Sequence, residues 1–313
     1  MRLRFIILVL ILLTISISDC SYVNQFSQQQ IVKGPEFEPF DGLKTTIAVL
    51  AFDNETDKGN EKFGSAIADM LISLLVRSGR FVVVERDELQ HVLHEQALGQ
   101  TGVITEETAV QAGQLLGVKA LIIGKVLELE EETGSHKFGD NQDDNDWSFA
   151  LKTTVGHVRY SYRVVNTTTG EILASDVVSA TEFRPGFGIE TKEFDFEDMF
   201  EFDQTIVGLA NRKAINKIAK QIVAAASNIK WNGKIIKINE DGTIYFTPGI
   251  ATGVQIGDLF SVHKVVSEDP DYSELHEKIA IIRVEKFVGR KVSVCKIVEG
   301  QHIAVGDKVQ RIE

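Results

Sequence analysis

The spacing of apolar residues changes twice along this 313-residue chain, and these changes restrict the fold more than any other sequence feature. Residues 45–124 alternate short β-branched apolar runs with segments of helical spacing, which is typical of α/β layers. From His157 the apolar period becomes two, as in a half-buried strand. From Trp231 onward, short strand-like segments separated by turns rich in Gly and Asp indicate a small barrel. We therefore predict an α/β (α+β) domain followed by a small all-β, SH3-like barrel.

The predicted α/β domain covers residues 45–228, and its elements follow from local patterns. Buried strands are expected where short apolar runs occur, at Thr46–Phe52, Phe81–Glu85 and Ala120–Gly124. Helices are expected where apolar residues recur every three or four positions or where caps occur: Phe63–Leu74 before Gly79, a helix starting at Arg86, Thr105–Gly117 and Asp203–Asn228. His157–Val165 and Glu171–Ser175 form a predicted hairpin around the turn Asn166–Gly170.

The predicted barrel domain covers residues 229–313. Six segments rich in β-branched and aromatic residues are its expected strands: Gly233–Ile238, Thr243–Thr247, Leu259–Val266, Ile279–Glu285, Lys291–Val298 and Lys308–Ile312. Cys295 alternates with Ser293 and Ile297 on one of them, so we expect a packed thiol and not a nucleophile.

The N-terminus has the pattern of an export signal. Arg2 and Arg4 precede the apolar run Phe5–Ile15, which is too short to span a bilayer. We interpret residues 1–19 as a signal peptide and Cys20 as the lipidated first residue of the mature chain, because Ile17–Cys20 resembles the lipobox of bacterial lipoproteins. Asp19 departs from that pattern, so ordinary cleavage after Ser18 and simple secretion stay open. Residues 20–44 are expected to be a lipidated N-terminus and a flexible spacer.

Composition excludes several classes of function. The net charge of −12 argues against nucleic acid as a partner, because phosphate binding requires a basic surface. The sequence contains no phosphate-binding loop, serine-nucleophile motif or dinucleotide fingerprint. The acidic segment 140–146 lacks the central Gly and distal Glu of a calcium loop, and the seven histidines show no zinc spacing. We therefore expect no enzymatic activity, no cofactor and no bound metal.

Three segments together resemble a known family. They are Arg80–Gln90 (RFVVVERDELQ), Leu121–Gly124 (LIIG) and Tyr162–Leu173 (YRVVNTTTGEIL). In this order and spacing they resemble the CsgG family of curli-secretion outer-membrane lipoproteins, over residue 45 to about residue 228. The C-terminal barrel is similar to the small terminal domain of a flagellar basal-body assembly lipoprotein.

The resemblance implies a periplasm-facing outer-membrane lipoprotein that forms a homo-oligomeric ring, in which each subunit contributes two membrane-inserting β-hairpins. Its expected partner is an exported polypeptide. The matching regions here are residues 126–156 and 179–204. Period-two alternation in these regions marks the candidate membrane-facing residues: Trp147, Phe149, Leu151, Val155, Phe183, Phe187, Ile189, Phe194, Phe196, Phe200 and Phe202.

Two functional hypotheses remain open at the level of sequence. The first is a ring-forming component of curli-type protein secretion and assembly. The second is a periplasm-facing scaffold of another envelope assembly, such as the flagellar basal body, in which no strand enters the membrane. The second is favoured by the run Glu130–Glu132, by Asp198 in the apolar row, and by the short loop Asp53–Asn60, which lacks the aromatic residue of a pore constriction.

Overall fold

The computed structural model describes residues 33–58, 62–85, 106–139, 148–167, 169–186, 199–226, 233–267 and 275–312. Within these residues the chain forms a mixed α/β sheet and a closed six-stranded antiparallel barrel. The predicted fold class is therefore confirmed. The expected helix starting at Arg86 lies outside the described residues.

The sheet combines parallel and antiparallel pairing. Its strands are β1 (Thr45–Val49), β2 (Asp53–Asn54), β3 (Phe81–Val84), β4 (Ala120–Gly139), β5 (Ser148–Asn166) and β6 (Ile172–Gly186). Five strands follow the order β3-β1-β4-β5-β6, and β2 pairs with β4. β1 is parallel to both neighbours, whereas β4, β5 and β6 form an antiparallel meander. The predicted hairpin from His157 is thus part of two longer strands.

Helices cover the sheet where the core lies. They are α1 (Phe63–Arg77), α2 (Glu106–Leu115), α3 (Met199–Gln204) and α4 (Ile206–Ala226). α1 and α4 pack on one face, because each carries an apolar stripe that the core buries completely. α2 lies over the other face, near Val118 and Leu121. Gly79 and Gly117 follow α1 and α2 with φ of 71°, a conformation that favours glycine at a helix end.

The predicted helix Asp203–Asn228 is divided in the structure. α3 ends at Gln204, and Thr205 begins the next helix by accepting a hydrogen bond at its Oγ1 from the backbone N–H of Gly208, at 2.9 Å. This bond satisfies one of the amides that a helix start leaves without a partner. Gly208 is required at this turn, since a Cβ there would lie 2.0 Å from the Phe202 carbonyl oxygen.

The barrel closes around a small apolar core. Its strands are β7 (Gly233–Ile238), β8 (Ile244–Thr247), β9 (Leu259–Ser267), β10 (Leu275–Val288), β11 (Val292–Gly300) and β12 (Lys308–Arg311). Pairing runs β10-β11-β8-β7-β12-β9 and returns to β10. Phe246 and Phe260 meet in its centre with ring centroids 4.9 Å apart. Cys295 is fully buried in this core, and burial raises the pKa of its thiol.

The prediction of a flexible spacer is wrong for residues 33–44. Pro35 is buried and accepts a hydrogen bond at its carbonyl from Arg77, and the Arg80 guanidinium lies 4.6 Å from the centroid of Phe40. The backbone N–H of Lys44 donates to the Thr252 carbonyl at 2.7 Å. The segment is therefore held by both the α/β unit and the barrel, through partners distant in sequence.

Candidate functional site

The longest feature of the sheet is the hairpin formed by β4 and β5. The two strands pair from Ala120 and Asn166 to Gly139 and Ser148. Among the residues whose burial is described, the hydrophobic core ends at Leu129 on β4 and at Val158 on β5 on the side toward the hairpin tip. Each strand continues for ten more residues, 130–139 and 148–157, which we call the hairpin arm. At about 3.3 Å per residue the arm extends about 33 Å.

The start of α4 marks the base of the arm. Gly156 on β5 touches the backbone of this helix, because a Cβ at Gly156 would lie 2.7 Å from both the Val207 nitrogen and the Ile206 carbonyl carbon. Glycine is therefore needed where the helix and strand approach each other most closely. Lys213 on α4 pairs with Glu182 on β6 on the same side of the sheet.

The opposite side of the meander, which we call the open face, carries a polar cluster at the base of the arm. Glu128 accepts hydrogen bonds from Arg159 Nη1 at 2.6 Å and from His157 Nε2 at 3.2 Å. The other ring nitrogen of His157 lies 2.9 Å from Thr181 Oγ1. These contacts cross three strands and fix their register. They form one side of a shallow groove of about 360 Å³, lined by Glu128, Glu130, Glu132, Val155, His157 and Thr181.

The residues of the polar cluster are not grouped to hold a metal ion. The ion pairs of the cluster are partly exposed, and such pairs stabilise a fold only weakly. In the part of the chain that the structure describes, no group of three His, Cys, Asp or Glu residues is placed to hold a metal ion. Among the same residues, no helix is long and apolar enough to cross a bilayer. The sequence patterns did not indicate this cluster, because its members come from three different strands.

Part of the predicted membrane-facing set lies together on the open face. The register places Val155 opposite Glu132 on one side and Phe183 on the other. Phe183 is 61% exposed. Phe149 and Leu151 lie farther along β5, where their backbones pair with Phe138 and His136 on β4. Val155 and Phe183 therefore lie side by side on one surface.

The remaining candidates divide into two groups. Cys20, Trp147, Phe187, Ile189, Phe194 and Phe196 lie outside the described residues. Phe200 and Phe202 lie on α3, so the prediction that they belong to the return strand of a hairpin 179–204 is wrong.

Phe202 faces the core and not a lipid surface. Its side chain is 1% exposed, and its ring meets Phe63 edge-on with centroids 5.5 Å apart. The sequence holds a signal for this placement, because buried residues recur at every fourth position from Phe202 to Ile222 across α3 and α4. The spacing of Phe200 and Phe202 alone also fits a period of two, which is why a strand was expected.

Comparison with known proteins gives one family and several distant structures. A family model described as the curli production assembly/transport component CsgG matches residues 31–240, about two thirds of the chain. Among curated proteins, none matches the sequence.

Three solved structures illustrate the distant similarities. Hypothetical protein CT253 from Chlamydia trachomatis is 14% identical, with a TM-score of 0.39 over 59% of this chain and 99% of that chain. Lipoprotein GNA1162 from Neisseria meningitidis is 15% identical, with a TM-score of 0.31 over 59% and 99%. The PelC dodecamer from Paraburkholderia phytofirmans is 11% identical, with a TM-score of 0.29 over 59% and 91%.

Proposed function

The chain belongs to the family of the curli production assembly/transport component CsgG, and from this membership we propose that it is an outer-membrane lipoprotein that forms rings in a curli-type protein-secretion apparatus. In this proposal Cys20 carries the lipid, the α/β unit and the barrel lie in the periplasm, and the hairpin arm enters the membrane. The exported polypeptide passes through the ring.

The length of the hairpin arm is the observation that supports this proposal most strongly. A membrane-spanning β-strand needs about 9–11 residues. The arm supplies ten on each strand beyond the last core residue. Between Lys152 and the tip, beyond the described pairing with β6, the arm is a two-stranded ribbon, and isolated two-stranded hairpins are marginally stable in water.

The apolar positions on the open face also favour insertion. Phe183 exposes most of its ring in the single chain, and Val155 lies directly beside it. Covering such side chains with lipid stabilises them by about 25 cal/mol for each Å² of apolar surface removed from water. In the sequence, apolar residues recur at the alternate positions 149, 151 and 155, which is the pattern of a lipid-facing strand.

Ring formation follows from the chemistry of strand edges in a bilayer. Every backbone N–H and C=O in the hydrocarbon needs a partner, so inserted strands must close into a barrel. The smallest membrane barrels have about eight strands, whereas the arm provides two. Several copies of the chain are therefore needed to complete one barrel.

A non-pore scaffold for another envelope assembly is the second candidate. Glu130 and Glu132 are exposed at the base of the arm, where charge opposes burial in lipid. α3 occupies the place expected for a returning strand and places Phe202 in the core. Both observations fit a chain whose strands stay in the periplasm.

Membrane integration of two matched variants separates these candidates. Phe183 and Val177 lie on the same strand and on the same face, and they are 61% and 49% exposed. Phe183 pairs with Val155 at the arm, whereas Val177 pairs with Ser161 in the body of the sheet. Neither Phe183→Asp nor Val177→Asp disturbs the core, so both variants should fold.

We expect Phe183→Asp to be extracted from membranes by alkaline carbonate, because a carboxylate facing lipid costs about 1–2 kcal/mol per subunit and the cost is repeated around a ring. Val177→Asp should remain integrated like the unaltered protein. If both variants stay in the membrane pellet equally well, the surface formed by Val155 and Phe183 does not face lipid and the scaffold is the better account.

The lipid anchor is tested separately with Cys20→Ser. We expect labelled palmitate to be incorporated into the unaltered protein and not into this variant. Palmitate labelling of Cys20→Ser would show that the anchor is elsewhere, and absence of label from both proteins would favour ordinary cleavage after Ser18.

A further inference from the structure

The α/β unit and the barrel have separate hydrophobic cores. Among the described residues, the two buried clusters have no member in common. Two partly buried residues of the segment 33–44 nevertheless pack against different cores. Phe37 packs against the core of the α/β unit, whereas Leu43 packs against the core of the barrel. Leu43 therefore reaches the barrel core from the opposite end of the chain.

The part of this segment that meets the barrel, residues 41–44, is fixed at both ends on the α/β unit, and we call it the latch. Before it, Phe40 lies with its ring centroid 4.6 Å from the Arg80 guanidinium. After it, the backbone N–H of Thr45 donates to the Arg80 carbonyl at 3.0 Å, and β1 begins there. The latch is also tightly folded, because a Cβ at Gly42 would lie 2.6 Å from the Phe40 ring. The α/β unit thus holds the latch in a defined position.

The barrel receives the latch at the short helical turn Ile250–Thr252. The backbone N–H of Lys44 donates to the Thr252 carbonyl at 2.7 Å. The turn is itself fixed to the barrel, because the N–H of Ala251 donates to the Arg290 carbonyl at 3.0 Å. β3 of the α/β unit lies beside the same turn. The latch therefore joins two surfaces that are each held rigidly by their own unit.

Domains of one chain move relative to one another unless a large hydrophobic interface joins them. Here one partly buried leucine carries the latch into the barrel core, next to one backbone hydrogen bond. We propose that the latch holds the barrel docked in one orientation on the α/β unit, and that its release leaves the barrel free to swing on the connection 227–232. The docked and free states are then two conformations whose populations Leu43 determines.

The orientation of the barrel is measured by pulsed electron double resonance between two nitroxide labels. The mature chain with Cys20→Ser carries one label at Lys220→Cys on α4 and the other at Lys286→Cys on β10, where both lysines are exposed. Cys295 is fully buried, so the native thiol is not labelled. Dilution with unlabelled protein removes distances between copies of the chain.

Three variants separate the latch from the stability of either core. Leu43→Ala removes the side chain that packs against the barrel core. Phe37→Ala is the matched control, because Phe37 is also partly buried in the same segment but packs against the core of the α/β unit. Phe40→Ala removes the ring beside Arg80 and loosens the base of the latch from outside the barrel.

We expect one narrow distance distribution for the unaltered protein and for Phe37→Ala. Leu43→Ala should increase the population of the undocked barrel about tenfold, because the apolar surface of Leu43 is no longer buried. Phe40→Ala should broaden the distribution in the same direction, and it decides the question if Leu43→Ala loses the circular dichroism of the folded barrel. A broad distribution in the unaltered protein, equal broadening by Phe37→Ala, or narrow distributions in both latch variants would overturn the proposal. Docking of the barrel needs neither a ring nor an inserted arm, so the result is independent of the proposed function.

Discussion

Replacing Phe202 with alanine tests whether the segment after residue 198 belongs to the protein core or to a lipid-facing strand. The side chain is 1% exposed and meets Phe63 edge-on. Truncating a core Phe to Ala costs about 3–5 kcal/mol, through lost burial and the cavity that remains. The edge-to-face pair with Phe63 contributes about 0.5–1.5 kcal/mol of that total. A lipid-facing Phe202 would contribute almost nothing in detergent-free, monomeric protein.

The measurement is urea unfolding of the Cys20→Ser protein, followed by far-ultraviolet circular dichroism. With a slope of about 1–3 kcal/mol per molar urea, Phe202→Ala should lower the midpoint by at least about 1 M. Phe202→Leu, which preserves most of the buried volume, should lose less than about 1.5 kcal/mol. Phe183→Ala is the exposed control and should change stability by no more than about 0.5 kcal/mol. A loss below about 1 kcal/mol for Phe202→Ala would refute the placement of this ring in the core.

Three further predictions follow from buried polar and ionisable groups. Tyr160→Phe should destabilise the fold by about 1–3 kcal/mol in urea unfolding, because it leaves the buried Asn211 Oδ1 without the 2.8 Å hydrogen bond from the tyrosine hydroxyl. Tyr162→Phe should destabilise the fold less, because the hydroxyl of Tyr162 is only partly buried. Equal losses of stability in the two variants would contradict this reasoning. Cys295 should react with a thiol reagent at pH 8 only after unfolding, since burial raises the pKa of its thiol, and rapid labelling of the native protein would show that the barrel core is open. Burial and the charges of Lys234 and Lys308 lower the pKa of Lys119 in the folded state, so the unfolded state binds more protons between that pKa and 10.5. The free energy of unfolding should therefore rise with pH in this window. Lys119→Met should reduce that rise, and identical pH profiles for the two proteins would contradict this prediction.

The barrel was predictable because its signals are local. The segment predicted as Gly233–Ile238 is β7 with the same bounds, and the other five strands differ only at their ends. The strands are short segments rich in β-branched and aromatic residues, and turns that contain glycine or aspartate separate them, so the pattern is complete within a few residues. The helices before Gly79 and Gly117 were predictable for the same reason.

The full length of β4 was not predictable from its own residues. Its apolar run predicts a strand only to Gly124, the hairpin over residues 126–156 is expected from the family resemblance alone, and the run Glu130–Glu132 has no strand pattern. In the structure these residues pair with Val155–His157 on β5, and Glu128 is held by Arg159 and His157 from that strand. Such pairings join residues about 30 positions apart, which periodicity within one segment does not report.

The placement of Phe202 and of residues 33–44 failed for a related reason. A period of two and a helical period are indistinguishable over Phe200–Phe202, so the choice depends on what the side chains contact. Phe63 and the rest of the core decide in favour of a helix. Residues 33–44 have little periodicity, yet Arg80 and Thr252 hold them through tertiary contacts. The polar cluster around Glu128 likewise exists only once three strands are paired.

Single-channel recording in planar bilayers tests the central claim, that copies of this chain join their hairpin arms into a membrane pore. The oligomer extracted from membranes with mild detergent is added to the bilayer, beside the same amount of Phe183→Asp protein. We predict stepwise conductance from the unaltered oligomer, loss of these steps after heating to monomers, and none from Phe183→Asp. An intact oligomer that produces no conductance, or steps of equal size and frequency from Phe183→Asp, would contradict the account.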